Sequence, residues 1–168
     1  MGKSVLFFFF LQVAVTVLDA NPEFIFDYHY PVKFFQEIES DPHFESVKCL
    51  DGHYIGVKEK SLKDFLETYK KAAKLKKFKL ESSDCDDFGL FFKFFSSFVN
   101  TRKKNNKYAL CVGFALVKAK EEALGIPPTK AHAINLIWSD KGWIVVEPQS
   151  GEYCLIKDYP NEIKWVLF

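Results

Sequence analysis

The stretch Ala131–Pro148, AHAINLIWSDKGWIVVEP, carries the clearest local signal in the chain. Two runs of β-branched and aromatic residues flank a polar turn at Asp140 and Gly142, so the stretch reads as an antiparallel hairpin. Alternation puts His132, Ile134 and Leu136 on one face of the first strand, and Ala133, Asn135 and Ile137 on the other. Pairing Trp138 with Trp143 sets Ile134 opposite Glu147 and His132 opposite Gln149. Glu147 is then a diagonal, same-face neighbour of His132, close enough for its carboxylate to reach the imidazole. Gln149 is the alternative orienter.

Upstream of the hairpin, Cys85 opens a segment in which Phe88, Phe91, Phe92, Phe95 and Phe98 recur at helical spacing. Ser83 and Asp84 are suitable caps, so Cys85 is expected at a helix N-terminus. Unpaired amides and the helix dipole stabilise a thiolate there, and the amides can cradle a developing oxyanion. An imidazole held by a carboxylate leaves its second nitrogen free to accept a thiol proton, the nucleophile, base and orienter logic of thiol hydrolases. Cys85, His132 and Glu147 are thus the candidate catalytic set for acyl transfer on a peptide or amide substrate. Two other readings use the same chain: transglutaminase-like amide transfer at the same site, and a catalytically inactive secreted binding module.

An earlier helix is expected from about Leu62 to Lys76, started by Ser61 and Asp64 in a capping-box-like pattern. Its apolar stripe is Leu62, Phe65, Leu66, Tyr69 and Ala73, and its lysine-rich face reads as solvated, with contact to an acidic surface the lesser alternative. Asn21–Lys48 reads as irregular with short strands, and Tyr108–Val117 as a buried strand whose continuation toward Leu124 could be helical. Together these give an α+β domain with a nucleophile helix packed on an antiparallel sheet, in the papain-like and transglutaminase-like order of Cys, His and then acid.

Residues 1–20, MGKSVLFFFFLQVAVTVLDA, have the basic start and short apolar core of a secretory signal peptide, leaving 21–168 as one domain. The apolar run is too short to span a bilayer, so a secreted protein without a membrane span is expected. A formal net charge of +1 argues against general nucleic-acid binding. With Cys85 reserved as a thiol, at most one disulfide can form among Cys49, Cys111 and Cys154, and the spacing does not choose the pair. His29, His43 and His53 lack metal-ligand spacing, and Trp138, Trp143 and Trp165 read as core rather than as a sugar-stacking platform.

DCDDF at 84–88, AHAIN at 131–135 and VEPQSGE at 146–152 resemble the papain-like cysteine protease domain of the Marasmius oreades agglutinin type, over roughly Asp51–Ile156. The resemblance implies a Cys, His and Glu triad at Cys85, His132 and Glu147. It also implies calcium, or a similar divalent ion, supported by Asp86 and Asp87. Hard oxygen ligands suit such an ion, and its charge would offset the effect of two carboxylates on the neighbouring thiol. The segment Lys118–Lys130 before the histidine is longer than the family pattern.

Overall fold

The computed structural model describes residues 28–33, 38, 41–74, 85–101, 107–128 and 131–168. The proposed signal peptide, Ser83 and Asp84 lie outside the described residues. Among them no helix is long and apolar enough to cross a membrane.

The hairpin forms as its turn chemistry requires. Strand β6 (His132–Ser139) pairs antiparallel with β7 (Gly142–Val146), with Trp138 opposite Trp143 and Asn135 opposite Val146. Gly142 adopts φ +92°, a conformation that costs a residue without Cβ little. Ser139 closes the turn by donating its hydroxyl to the Gly142 carbonyl at 2.8 Å.

Around this hairpin runs a sheet of nine strands in the order β1-β3-β6-β5-β9-β2, with β4 beside β3 and β7 and β8 beyond β6. The remaining strands are β1 (Tyr28–Lys33), β2 (Val47–Lys48), β3 (His53–Val57), β4 (Ala109–Leu110), β5 (Val112–Lys118), β8 (Tyr153–Leu155) and β9 (Glu162–Leu167). The fold is mixed α/β. The expectation of an antiparallel sheet is corrected: β3 runs parallel to β4 and to β6, and β2 parallel to β9. The helices between β3 and β4 return the chain to the same end of the sheet, a crossover that permits parallel pairing.

Helix α1 spans Glu59–Lys74 and α2 spans Cys85–Thr101. Ser61 does not cap α1, because the helix begins two residues earlier and the Ser61 hydroxyl donates to the Lys58 carbonyl at 2.8 Å. Asp140, in the hairpin turn, accepts the Glu59 amide at 2.8 Å and satisfies one of the orphan donors of the helix start. The phenylalanine stripe of α2 meets α1 as expected: Phe65 crosses Phe92 edge-on at 5.3 Å and Tyr69 crosses Phe92 at 4.8 Å.

These rings, with Val57, Leu110, Ile137, Ile144 and Val146, make one core cluster on the helix-covered face. The opposite face buries a second cluster that includes Ile134, Leu136, Trp143, Val145 and Phe168. The strand expected over 108–117 is broken at Cys111, whose amide donates to Ile55 and whose carbonyl accepts the Trp138 amide. Beyond β5 the chain is not helical: Leu124 and Gly125 both have positive φ, and Asn161 accepts the Lys120 and Glu121 amides through its side-chain oxygen.

Candidate functional site

His132 begins β6, and Glu147 lies just past the end of β7. Their side chains meet where alternation and the Trp138–Trp143 register predict, with Nε2 of His132 2.5 Å from Oε2 of Glu147. Both residues are buried, at 7% and 1% exposure. The other carboxylate oxygen of Glu147 accepts the Gln149 amide at 2.9 Å. Gln149 therefore positions Glu147 through its backbone, and Glu147 itself orients His132.

The turn after β7 fixes Glu147 from both sides of its peptide. The Glu147 amide donates to Glu152, and the Gly151 amide donates to the Glu147 carbonyl at 2.7 Å. Gly151 takes φ +69°, and the Lys70 side chain lies so close that a Cβ there would come within 2.3 Å of its Cε. The positive φ is what favours glycine here, since the flexible Lys70 side chain can move aside.

Leu124, Ile126, Ile134 and Tyr159 border the pair, together with the polar Glu121 and Asn161. The small void bordered by His132, Glu147, Leu124, Ile126 and Tyr159 has no room for a water molecule. Burial pushes the Tyr159 phenol up to about 12, with the Glu147 charge adding to the same direction. Burial, and again the Glu147 charge, raise Tyr69 well above its ordinary value. A deprotonated phenol near a buried carboxylate is doubly disfavoured.

Cys85 stands at the first position of α2, partly buried. That helix lies on the Ala133 and Asn135 face of β6. The Gly89 carbonyl accepts the Asn135 side-chain amide at 3.0 Å, and a Cβ built on Gly89 would sit 3.7 Å from that of Ala133. The structure thus brings His132 and Glu147 together, and it sets Gly89, one helical turn after Cys85, against Ala133, the residue next to His132. Asn135 is fully buried and donates to Gly89 and Gly113, a bridge between helix and sheet.

None of the described cysteines is joined in a disulfide. Asp86 and Asp87 occupy the first turn of α2, where acidic residues complement the dipole. Among the described residues no three His, Cys, Asp or Glu side chains converge as cation ligands.

The sequence reading passed over a second feature. At the C-terminal end of α2 an open cleft of about 430 Å³ is lined by Ser97, Asn100, Thr101, Lys107, Tyr108 and Leu110, among others. Tyr108 was expected to open a buried strand but is 37% exposed. The polar, basic run Thr101–Lys107 next to an aromatic was the available signal.

No protein-family model matches the chain, and no curated protein does. Among solved structures, Polyporus squamosus lectin bound to the human-type influenza-binding epitope Neu5Aca2-6Galb1-4GlcNAc is similar at 21% identity and a TM-score of 0.58. That match covers 78% of this chain and 46% of the lectin chain. The PSL1a–E64 complex is similar at 23% identity and a TM-score of 0.57, over 76% of this chain and 44% of that one. The chain spans less than half the length of either. These comparisons overturn the main functional expectation, a secreted cysteine protease working through a catalytic triad, because the neighbours are structures of a lectin. At this level of identity the likeness is one of fold, and it places the chain beside a fungal lectin in architecture.

Proposed function

We propose that this chain is a binding module whose ligand is a carbohydrate. The observation that carries the reading is the likeness, over 78% of the chain, to a lectin whose structure holds a sialylated epitope. The interior is in keeping with it: the buried His132 and Glu147 bond each other, and such a pair anchors the hairpin to its following turn. Delivery by the secretory route accords with residues 1–20 and with a ligand found on extracellular surfaces.

The test is a glycan array probed with the purified chain lacking residues 1–20, followed by competition with the free sugar. Saturable binding to one structural class of glycan, reversed by that sugar, is the expected result. Absence of binding across the array overturns the reading.

One specific observation favours a second reading. The His132–Glu147 contact holds an imidazole in a fixed orientation. Under transglutaminase-like amide transfer, the Cys85 thiol would attack an amide carbonyl, His132 would return the proton to the departing amine, and a second amine would take the acyl group. Incorporation of a fluorescent amine into a glutamine peptide, lost in Cys85→Ala, is its signature. Labelling of Cys85 no faster than a free thiol removes it.

A further inference from the structure

We infer that Cys49 and Cys111 are a reactive pair that closes into a disulfide, a modification independent of the carbohydrate reading. Spacing along the chain leaves the pairing open among Cys49, Cys111 and Cys154. The strand registers choose it.

Cys154 is removed first. It lies on β8 opposite Val145 of β7, Val145 lies opposite Leu136 of β6, and Leu136 opposite Gly113 of β5. Three strand spacings of about 4.8 Å, or roughly 14 Å in all, separate β8 from the strand that Cys111 precedes. Cysteines whose Cα atoms are more than about 7 Å apart cannot be joined without moving the backbone. Cys154 has its own surroundings, beside Asp158 and Tyr159.

Cys49 and Cys111 meet instead at the C-terminal end of β9. The Phe168 amide donates to the Lys48 carbonyl at 2.9 Å, which sets Cys49 beside that end. The Phe168 ring lies 6.0 Å from that of Tyr54, and a Cβ built on Gly113, two residues after Cys111, would come within 2.9 Å of it. Tyr54 draws the turn after Cys49 inward. Its hydroxyl accepts the Leu50 and Asp51 amides at 3.1 and 3.0 Å and donates to the Cys49 sulfur. Cys111 is fixed in the break between β4 and β5, its amide donating at 2.9 Å to Ile55, the residue after Tyr54. Both cysteines pack into the core cluster that contains Tyr54 and Phe168. They also share a cation: the buried Lys93 amine, 2.8 Å from the Val112 carbonyl, feels both thiols, Cys111 more than Cys49. An ammonium beside a thiol favours its thiolate, the form that reacts.

Exposure assigns the order of attack, because Cys49 is partly exposed and Cys111 fully buried. The Cys49 thiolate attacks one sulfur of a small-molecule disulfide, glutathione disulfide, forming a mixed disulfide and releasing one glutathione thiolate. The Cys111 thiolate then attacks the Cys49 sulfur, closing the Cys49–Cys111 bond and releasing the second glutathione. Two protein thiols are oxidised, one glutathione disulfide is reduced, and the two thiol protons pass to the departing glutathione thiolates. The loop so closed contains β3, both helices and β4, and the bond staples the two ends of the helical layer together.

The test is equilibration of the folded protein with reduced and oxidised glutathione, alkylation of the remaining thiols, and non-reducing peptide mapping by mass spectrometry. One linked pair of peptides carrying Cys49 and Cys111 is expected, with Cys85 and Cys154 alkylated. The melting temperature should exceed that in dithiothreitol by about 5 °C. Cys111→Ala should accumulate glutathione on Cys49, whereas Cys49→Ala should leave Cys111 unmodified. A bridge that includes Cys85 or Cys154 overturns the inference, as does alkylation of both Cys49 and Cys111 in fully oxidised buffer. The wild-type map decides by itself should a variant fail to fold.

Discussion

At the scale of single residues, the contact between His132 and Glu147 was legible before any coordinates, because a two-strand register fixed by Asp140–Gly142 determines which side chains are diagonal neighbours. What alternation could not say is how deeply the pair is buried, since that depends on Leu124, Ile126 and Tyr159 arriving from distant segments. Depth sets the energetics. Glu147→Ala leaves a buried imidazole without its partner and the Gln149 amide without its acceptor. A loss of about 3 kcal/mol is expected, read in urea denaturation as a lower midpoint at unchanged slope. A loss below about 0.5 kcal/mol, the range of an exposed pair, would contradict the burial described here. Cys85 was legible in the same way: its position at a helix start is readable from the phenylalanine spacing, and that helix packs on the strand that His132 begins.

Among the elements, the docking of α2 onto the sheet depends on one small residue and one buried amide. Gly89 lets the helix backbone approach Phe114, whose ring atoms would be 2.8 Å from a Cβ at that position. Asn135 fastens the two layers by donating to Gly89 on the helix and to Gly113 on β5, each at 3.0 Å. Helix propensity alone favours alanine over glycine by about 1 kcal/mol. Crowding against a ring and a packed strand costs typically 1 to 3 kcal/mol, and we expect crowding to win. Gly89→Ala should therefore lower stability by about 1 kcal/mol net in thermal or chemical unfolding, and a gain would show that the layers can move apart freely. Removing both hydrogen bonds at once through Asn135→Ala should cost more, about 3 kcal/mol, because two buried carbonyls lose a donor. The α1 start teaches the complementary lesson. Ser61 and Asp64 matched a local capping pattern, yet Asp140, distant in sequence, supplies the cap. A pattern read along the chain has no access to a partner delivered by tertiary packing.

For the whole molecule, the distribution of buried phenols predicts how it responds to alkali. Burial raises Tyr54 and Tyr69 well above the ordinary tyrosine value and Tyr159 to about 12. A group whose pKa is raised by folding contributes stability that is fully present below its unfolded value near 10 and is lost as pH rises through the folded value. Lys93 has the opposite sign. Its buried amine, donating to the Val112 carbonyl at 2.8 Å, has a lowered pKa, so its cost is present at neutral pH and relieved as pH approaches 10.5. The three phenols outnumber it, and stability should fall above pH 10. In a spectrophotometric titration at least three of the seven tyrosines should ionise only together with loss of the fold. A single reversible wave near pH 10 for all seven would show that Tyr54, Tyr69 and Tyr159 are not sealed as described.

By itself the sequence determined the hairpin, its register, the apolar stripes of both helices and the pairing of His132 with Glu147. Each of these depends on periodicity or turn chemistry within a few residues. Tertiary structure alone decided the mixed strand directions, the cap given to α1 by Asp140 and the cleft beside Tyr108. Those features arise where segments far apart in sequence come together, and the placement of one segment against another is set by burial of the two core clusters, a property of the whole chain.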